Sequence, residues 1–165
     1  MKKAIVIGCP GSGKSTFSRE INRITNIPLF YLDMIFHRKD RTTVSKEEFD
    51  AKLLEIMQNE QWILDGNYLR TMKTRIDRCD TVFWLDYPTE ICINGIKERF
   101  GKPRPDMPWI EIEEDKEFTE FIKNFKIESK PKIEKALSEV SGKRIYIFKS
   151  REEAKLYLKN LETHC

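Results

Sequence analysis

The chain has 165 residues, 39 % of them hydrophobic and 35 % charged, with a formal net charge of +3. That length suits one domain with a sizeable core, and the apolar content argues against wholesale disorder. The small charge lacks the dense basic stripe of a protein that neutralises many nucleic-acid phosphates, so an anion site has to be local.

The first apolar, β-branched run, "KAIVIG" at 3–8, predicts a strand. It leads into "GCPGSGKST" at 8–16, which meets the pattern G-x-x-x-x-G-K-[ST] at Gly8, Gly13, Lys14 and Ser15. Phe17, Ile21 and Ile24 then share a helical face. Strand, loop and helix in that order are what phosphate binding requires: glycines let the backbone curl so that N–H groups point inward, and the helix N-terminus adds a favourable dipole. Gly8, Pro10, Gly11, Ser12, Gly13, Lys14, Ser15 and Thr16 are therefore the candidate nucleotide site, with Lys14 reaching the β- and γ-phosphates and the Ser15 hydroxyl ligating Mg²⁺. The competing dinucleotide pattern G-x-G-x-x-G is not met, because Pro10 and Thr16 stand where glycines would be needed.

Further along, "PLFYLD" (28–33) predicts a second strand ending at Asp33, and "HRKDRTTV" (37–44) is a charged loop, either solvated or touching an anionic acceptor. Ser45 to Glu48 form a capping box that opens a helix with Phe49, Leu53, Ile56 and Met57 on one face. "WILD" (62–65) and "TVFWLD" (81–86) predict two more strands. The stretch 101–113, "GKPRPDMPWIEIE", fits neither helical nor strand period, and a loop that long in a compact domain is often a functional lid. Phe118, Phe121, Ile122 and Phe125, then Ile133, Ala136, Leu137 and Val140, mark two helices. "RIYIFK" (144–149) is the fifth strand, and a second capping box, Ser150 to Glu153, opens a last helix with Ala154, Tyr157, Leu158 and Leu161 inward. This alternation is that of an α/β fold with a parallel sheet covered by helices.

Cys9, Cys79, Cys92 and Cys165 have neither C-x-x-C spacing nor the density of a disulfide scaffold, and His37 and His164 supply no metal cluster, so free thiols in a reducing cytosol are expected. The apolar run after Met1-Lys2-Lys3 is too short for a signal-peptide core, and no run reaches the roughly 18 apolar residues of a spanning helix. The expectation is a soluble cytoplasmic protein with no membrane partner; nucleic acid is disfavoured rather than ruled out, and the oligomeric state is open.

"GCPGSGKST" resembles the loop of adenylate-kinase-like P-loop kinases, and "WILDGNYLRT" resembles the adenylate kinase stretch in which a strand ends in Asp-Gly and is soon followed by Arg. With "RPDM" and "FKSREEAKLYL", nearly the whole chain is similar to the adenylate-kinase-related family often labelled DNA topology modulation proteins. The resemblance implies the three-layer P-loop NTPase fold, a five-stranded parallel sheet of order 2-3-1-4-5, a single kinase-like domain over 1–165, a lid at about 99–114, and ATP and Mg²⁺ as cofactors. It implies that Asp65 helps hold Mg²⁺, with capping of the next helix as the alternative and Asp86 as a weaker rival. Asp33 becomes a candidate base or acceptor anchor, with a turn-forming role as its alternative. Gly66, Asn67, Arg70 and Arg75 fall on the acceptor side, where the adenylate kinase arginine holds the acceptor phosphate. Here Arg70 comes one residue late and no AMP pattern is recognisable between 25 and 45, which leaves the acceptor open. Arg99 is implied at the nucleotide and Arg104 on the phosphates, unless these are surface-loop charges, and Ser150, between Lys149 and Arg151, borders the base. Lys14, Asp33, Arg99 and Arg104 are thus the candidate catalytic set.

These readings together point to an ATP-dependent phosphotransferase of the nucleoside-monophosphate-kinase type acting on a small, nucleotide-like acceptor. A small-molecule hydroxyl kinase is a subcase, and a nucleotide-dependent regulator that modulates DNA topology with little turnover is the alternative from a different class.

Overall fold

A computed structural model describes residues 1–164; Cys165, the fourth expected free thiol, lies outside the described residues. The elements run β1 (Lys3–Gly8), α1 (Lys14–Thr25), β2 (Leu29–Tyr31), α2 (Leu32–Phe36), α3 (Lys46–Gln58), β3 (Trp62–Asp65), α4 (Leu69–Arg78), β4 (Thr81–Leu85), α5 (Thr89–Lys97), α6 (Lys116–Glu128), α7 (Lys130–Ser138), β5 (Arg144–Phe148) and α8 (Arg151–Glu162). Every strand pair is parallel and the order is β2-β3-β1-β4-β5, as expected.

Central β1 carries Ala4, Ile5, Val6 and Ile7, all fully buried, because helices cover both of its faces and leave no polar side for alternation. α1 packs beside α8, whereas α4 packs beside α3 and α7. β5 is the edge, and the side chains of Arg144, Ile145 and Ile147 are exposed there. Both serines cap as read: the side chains of Ser45 and Ser150 accept from the backbone N–H of Glu48 and Glu153 at 3.1 and 3.2 Å, and Glu153 reaches back to the Lys149 N–H at 2.7 Å.

One element differs from expectation. The apolar run 28–33 is a strand only to Tyr31, and Asp33 sits in the first turn of the five-residue α2. Fully buried Leu32 satisfies a core-facing helix as well as a strand, so the hydrophobic pattern does not distinguish them. Because β1 lies between β3 and β4, successive connections leave it in opposite directions and open a crevice over its carboxyl end at Gly8, the place where such sheets bind ligands.

Candidate active site

β1 ends at Gly8, whose φ is 153°, and the chain then turns through Gly11 (82°) and Gly13 (93°) into α1. Only glycine enters the left-handed region freely, and at Gly11 a side chain would also drive into the carbonyl of Cys92 on α5. The loop is therefore seated on α5, backbone against backbone. Its entrance is locked by Asn67: the Gly8 N–H donates to Asn67 Oδ1 at 3.0 Å and Asn67 Nδ2 donates to the Gly8 carbonyl at 2.7 Å. Lys14 Nζ reaches back to the Cys9 carbonyl at 3.5 Å.

Asp65 ends β3, pairs in register with Val6, and is 4 % exposed with Oδ1 lacking any hydrogen-bond partner. Burial pushes its carboxyl up to about 6, against the pull of Lys14 and Ser15, while Asp106 and Asp33 add repulsion. It does not cap α4, whose N-cap is Tyr68. An orphaned buried carboxylate oxygen near the Ser15 hydroxyl suits a hard cation held by one or two carboxylates and phosphate oxygens, so Ser15 and Asp65 fit Mg²⁺. No group of three or more His, Cys, Asp or Glu side chains suited to a metal occurs among the described residues. The rival Asp86 is engaged elsewhere, paired with Lys130 and Lys149 at 2.6 and 2.5 Å.

Across the cleft, the Tyr68 hydroxyl donates to Asp33 Oδ1 at 2.6 Å. Tyr68 holds φ 36° and ψ 69°, with its ring stacked on Phe49 at 5.0 Å. Its own ionisation is pushed far up, first by burial and then by the Asp33 charge, so the phenol stays a donor. His37, one helical turn beyond Asp33, meets Trp109 edge-on at 5.0 Å, and the Arg41 guanidinium lies 5.9 Å over the same indole.

Residues 98–115 arch over both walls. Arg99 pairs with Glu111 at 3.1 Å, and Arg104 lies 3.6 Å from Glu111 and 3.8 Å from Asp106. Burial and the neighbouring Arg104 lower the Arg99 value. Asp106 in turn accepts a hydrogen bond from Ser15 Oγ at 3.0 Å. The enclosed cleft measures about 1470 Å³, larger than the roughly 300–1,000 Å³ of a pocket for one small ligand.

No protein-family model matches the chain. It is 30 % identical over 94 residues to the adenylate kinases of Thermotoga petrophila and Thermotoga maritima, a match covering 55 % of this chain and 42 % of theirs. The chain thus spans less than half the length of the curated relatives it matches. Among solved structures it superposes on a shikimate kinase from Bacteroides thetaiotaomicron with a TM-score of 0.61 and 17 % identity, covering 99 % of this chain and 97 % of the other. A shikimate kinase from Acinetobacter baumannii in complex with shikimate gives 0.63 at 15 % identity, over 99 % and 94 %. A gluconokinase from Sinorhizobium meliloti 1021 gives 0.58 at 13 % identity, over the same shares.

The chain has the fold of the P-loop kinases. In that fold Pro10 to Thr16, Asp33, Asp65, Gly66, Asn67, Arg99 and Arg104 converge on the cleft. Four expected site residues do not line it. Gly8 stands at the entrance of the loop, its backbone held by Asn67. Arg70 is on the surface, forked onto Asp50 at 2.8 and 2.7 Å. Arg75 is fully buried and donates to the carbonyls of Gly66, Asn67 and Tyr68, where burial lowers its value to about 10 yet leaves it charged at neutral pH. Ser150 caps α8, and Arg151 beside it lines the cleft instead. Gly66, at φ 141°, lies against the Leu32 side chain, where a Cβ would come within 3.0 Å. The sequence reading missed Tyr68, Asp106 and Glu111. Asp106 had a signal, a carboxylate two residues after Arg104 in a cationic loop; Tyr68 and Glu111 had none.

Proposed function

We propose that the chain is a kinase that transfers the γ-phosphoryl group of ATP to a hydroxyl of a small molecule. The observation that carries this reading is the charge facing the point of transfer from the acceptor side: a carboxylate, Asp33, held on one oxygen by Tyr68. A phosphate acceptor brings its own negative charge to that point and needs guanidinium groups beside it, whereas Arg70 and Arg75 are engaged elsewhere. A neutral hydroxyl needs a base. The free oxygen of Asp33 takes the hydroxyl proton as the acceptor oxygen attacks in line, and Tyr68 holds the carboxylate in place. Trp109 and Arg41 offer the acceptor a flat face and a positive charge away from the reacting oxygen. On the other wall the loop N–H groups and Lys14 hold the β- and γ-phosphates, Ser15 and Asp65 hold Mg²⁺, and Arg99 and Arg104 close over the phosphoryl group while segment 99–114 excludes water. When bound, Mg²⁺ neutralises charge on the phosphate oxygens. Residues 1–165 act as one catalytic unit in the cytoplasm, with Cys9, Cys79 and Cys92 as free thiols; no helix among the described residues is long and apolar enough to cross a membrane.

The test is ATP consumption with Mg²⁺ against a panel of small hydroxyl compounds, nucleosides and nucleoside monophosphates, with Lys14→Ala as control. Stimulation by a hydroxyl compound is expected, falling about 10³-fold in the variant while its thermal unfolding stays that of the parent. Stimulation by a nucleoside monophosphate alone would return the assignment to the nucleotide-kinase class. Tight ATP binding with no stimulation, together with DNA retention at physiological salt, would move it to the DNA topology regulator.

A further inference from the structure

We propose that Asp106 is a positioning residue of the metal site, carried by the arch: it accepts the hydrogen bond of the Ser15 hydroxyl, aims that hydroxyl's lone pairs at Mg²⁺, and so couples closure of the arch to metal binding. The inference rests on the kinase reading.

A serine hydroxyl has one proton to donate and two lone pairs to offer. To ligate a cation through oxygen it must send the proton somewhere else, and the group that receives it fixes the rotation of the hydroxyl. Ser15 sends its proton to Asp106 Oδ2 at 3.0 Å, a side chain 91 positions away in the chain. Asp106 is 8 % exposed, and Arg104 at 3.8 Å supplies a counter-charge from the same arch. Asp65, the other carboxylate beside the loop, is deeply buried and keeps Oδ1 without a partner. Ser15 lies beside both carboxylates, but they differ in what they offer: Asp106 accepts the hydrogen bond of its hydroxyl at 3.0 Å, and Asp65 keeps Oδ1 without a partner to give to a cation. A cation seated between Asp65 and Ser15 satisfies that oxygen, and the donor hydroxyl, polarised by the cation, binds Asp106 more tightly. By reciprocity, whatever free energy the metal adds to the Ser15–Asp106 contact, closure of the arch returns to metal binding.

The experiment titrates the intact protein with a non-hydrolysable ATP analogue by calorimetry, once in Mg²⁺ and once in EDTA. In the wild type Mg²⁺ tightens binding. Asp106→Ala is expected to lose about tenfold of the affinity in Mg²⁺ and none in EDTA. Asp106→Asn, which keeps an acceptor without the charge, is expected to fall between. Ser15→Ala, which removes the ligand itself, should lose at least that increment in Mg²⁺, with Asp106→Ala adding nothing further to it. Proteolysis within 98–115 should be slowed by the analogue with Mg²⁺ in the wild type and not in Asp106→Ala. Equal loss in Mg²⁺ and EDTA would mean a merely structural role and would overturn the assignment. Affinity in Mg²⁺ that is unchanged or increased in Asp106→Ala would overturn it too, the latter making Asp106 a blocker of the site. A wild type that binds the analogue equally well with and without Mg²⁺ would overturn this inference and the kinase reading together, whereas failure confined to Asp106→Ala spares the kinase.

Discussion

The nucleotide wall and the acceptor wall of the cleft are held by opposite means. Gly8 to Thr16 owes its shape to backbone: positive φ at Gly11 and Gly13, contact with the α5 backbone, and the amide of Asn67 closing on Gly8. The wall at 65–68 owes its shape to one buried side chain, since Arg75 gathers the carbonyls of Gly66, Asn67 and Tyr68 and thereby places Asp65, Asn67 and the hydroxyl that holds Asp33. A loop fixed by backbone geometry is specified by local residue types, whereas a loop fixed by a distant guanidinium depends on one residue nine positions on. The first is broken by adding a side chain at Gly11, the second by removing one at Arg75.

The strongest way to break that contrast is Arg75→Met. Three carbonyls at the buried turn lose their charged donor, and the apolar methionine side chain offers them no hydrogen bond in return. A loss of about 4 kcal/mol in unfolding free energy is expected, measured by denaturant titration, from a total of roughly 5–15 kcal/mol. Arg75→Lys should recover only part, because an ammonium lacks the planar fork. An Arg75→Met protein with wild-type stability would mean that the turn at 66–68 holds itself.

The acid behaviour of Asp65 sharpens the same comparison. Its folded value, about 6, lies above the ordinary carboxylate value of 3.8. Between the two, the unfolded chain has released the proton that the folded protein still holds. The stabilisation from this group is therefore complete below the ordinary value and declines as pH rises through about 6, by no more than about 3 kcal/mol. Asp65→Asn should lack that decline, so that the difference between the two stability–pH curves shows it. If the two curves run parallel from pH 4 to pH 7, Asp65 is solvated and the metal pocket is more open than described.

These two residues also mark how far the chain could be read without coordinates. The phosphate loop was legible because its requirement, glycines at fixed spacing ahead of a helix, is written in adjacent residues; Asp65 could be read as the end of an apolar strand, but its metal role came with the resemblance, since Asp86 ends a similar run. The sheet order came with the resemblance rather than with any spacing. Asp33 lies at the cleft, but in the first turn of α2 rather than at a strand end, the two being indistinguishable in so short an apolar run. Arg75 was read as a phosphate ligand because its type suits that chemistry, and nothing in the pattern around it says that three carbonyls would claim it. Asp106 needed the fold itself, which brings residues 15 and 106 together.

On the acceptor wall, Asp33→Asn keeps the shape and an acceptor for Tyr68 while removing the base. We expect kcat to fall about 10²-fold with KM for the nucleotide unchanged, read from steady-state kinetics on whichever hydroxyl acceptor the panel identifies. A drop confined to KM for the acceptor would make Asp33 an anchor and leave proton removal to solvent.

The smallest effect is the one that the adenylate kinase comparison would make large. There, an arginine after the Asp-Gly turn would hold the acceptor phosphate, and Arg70 stands nearest that place in the chain. In this protein Arg70 points outward, its fork filled by Asp50, and both side chains are about half exposed. Exposed pairs contribute little because solvent screens them and two long side chains must be held still. Arg70→Ala should therefore leave unfolding, kcat and the KM of both substrates within about twofold of the parent. A tenfold rise in acceptor KM would instead show that Arg70 leaves Asp50 to meet an anionic substrate, and the charge argument for a hydroxyl acceptor would fail at its root.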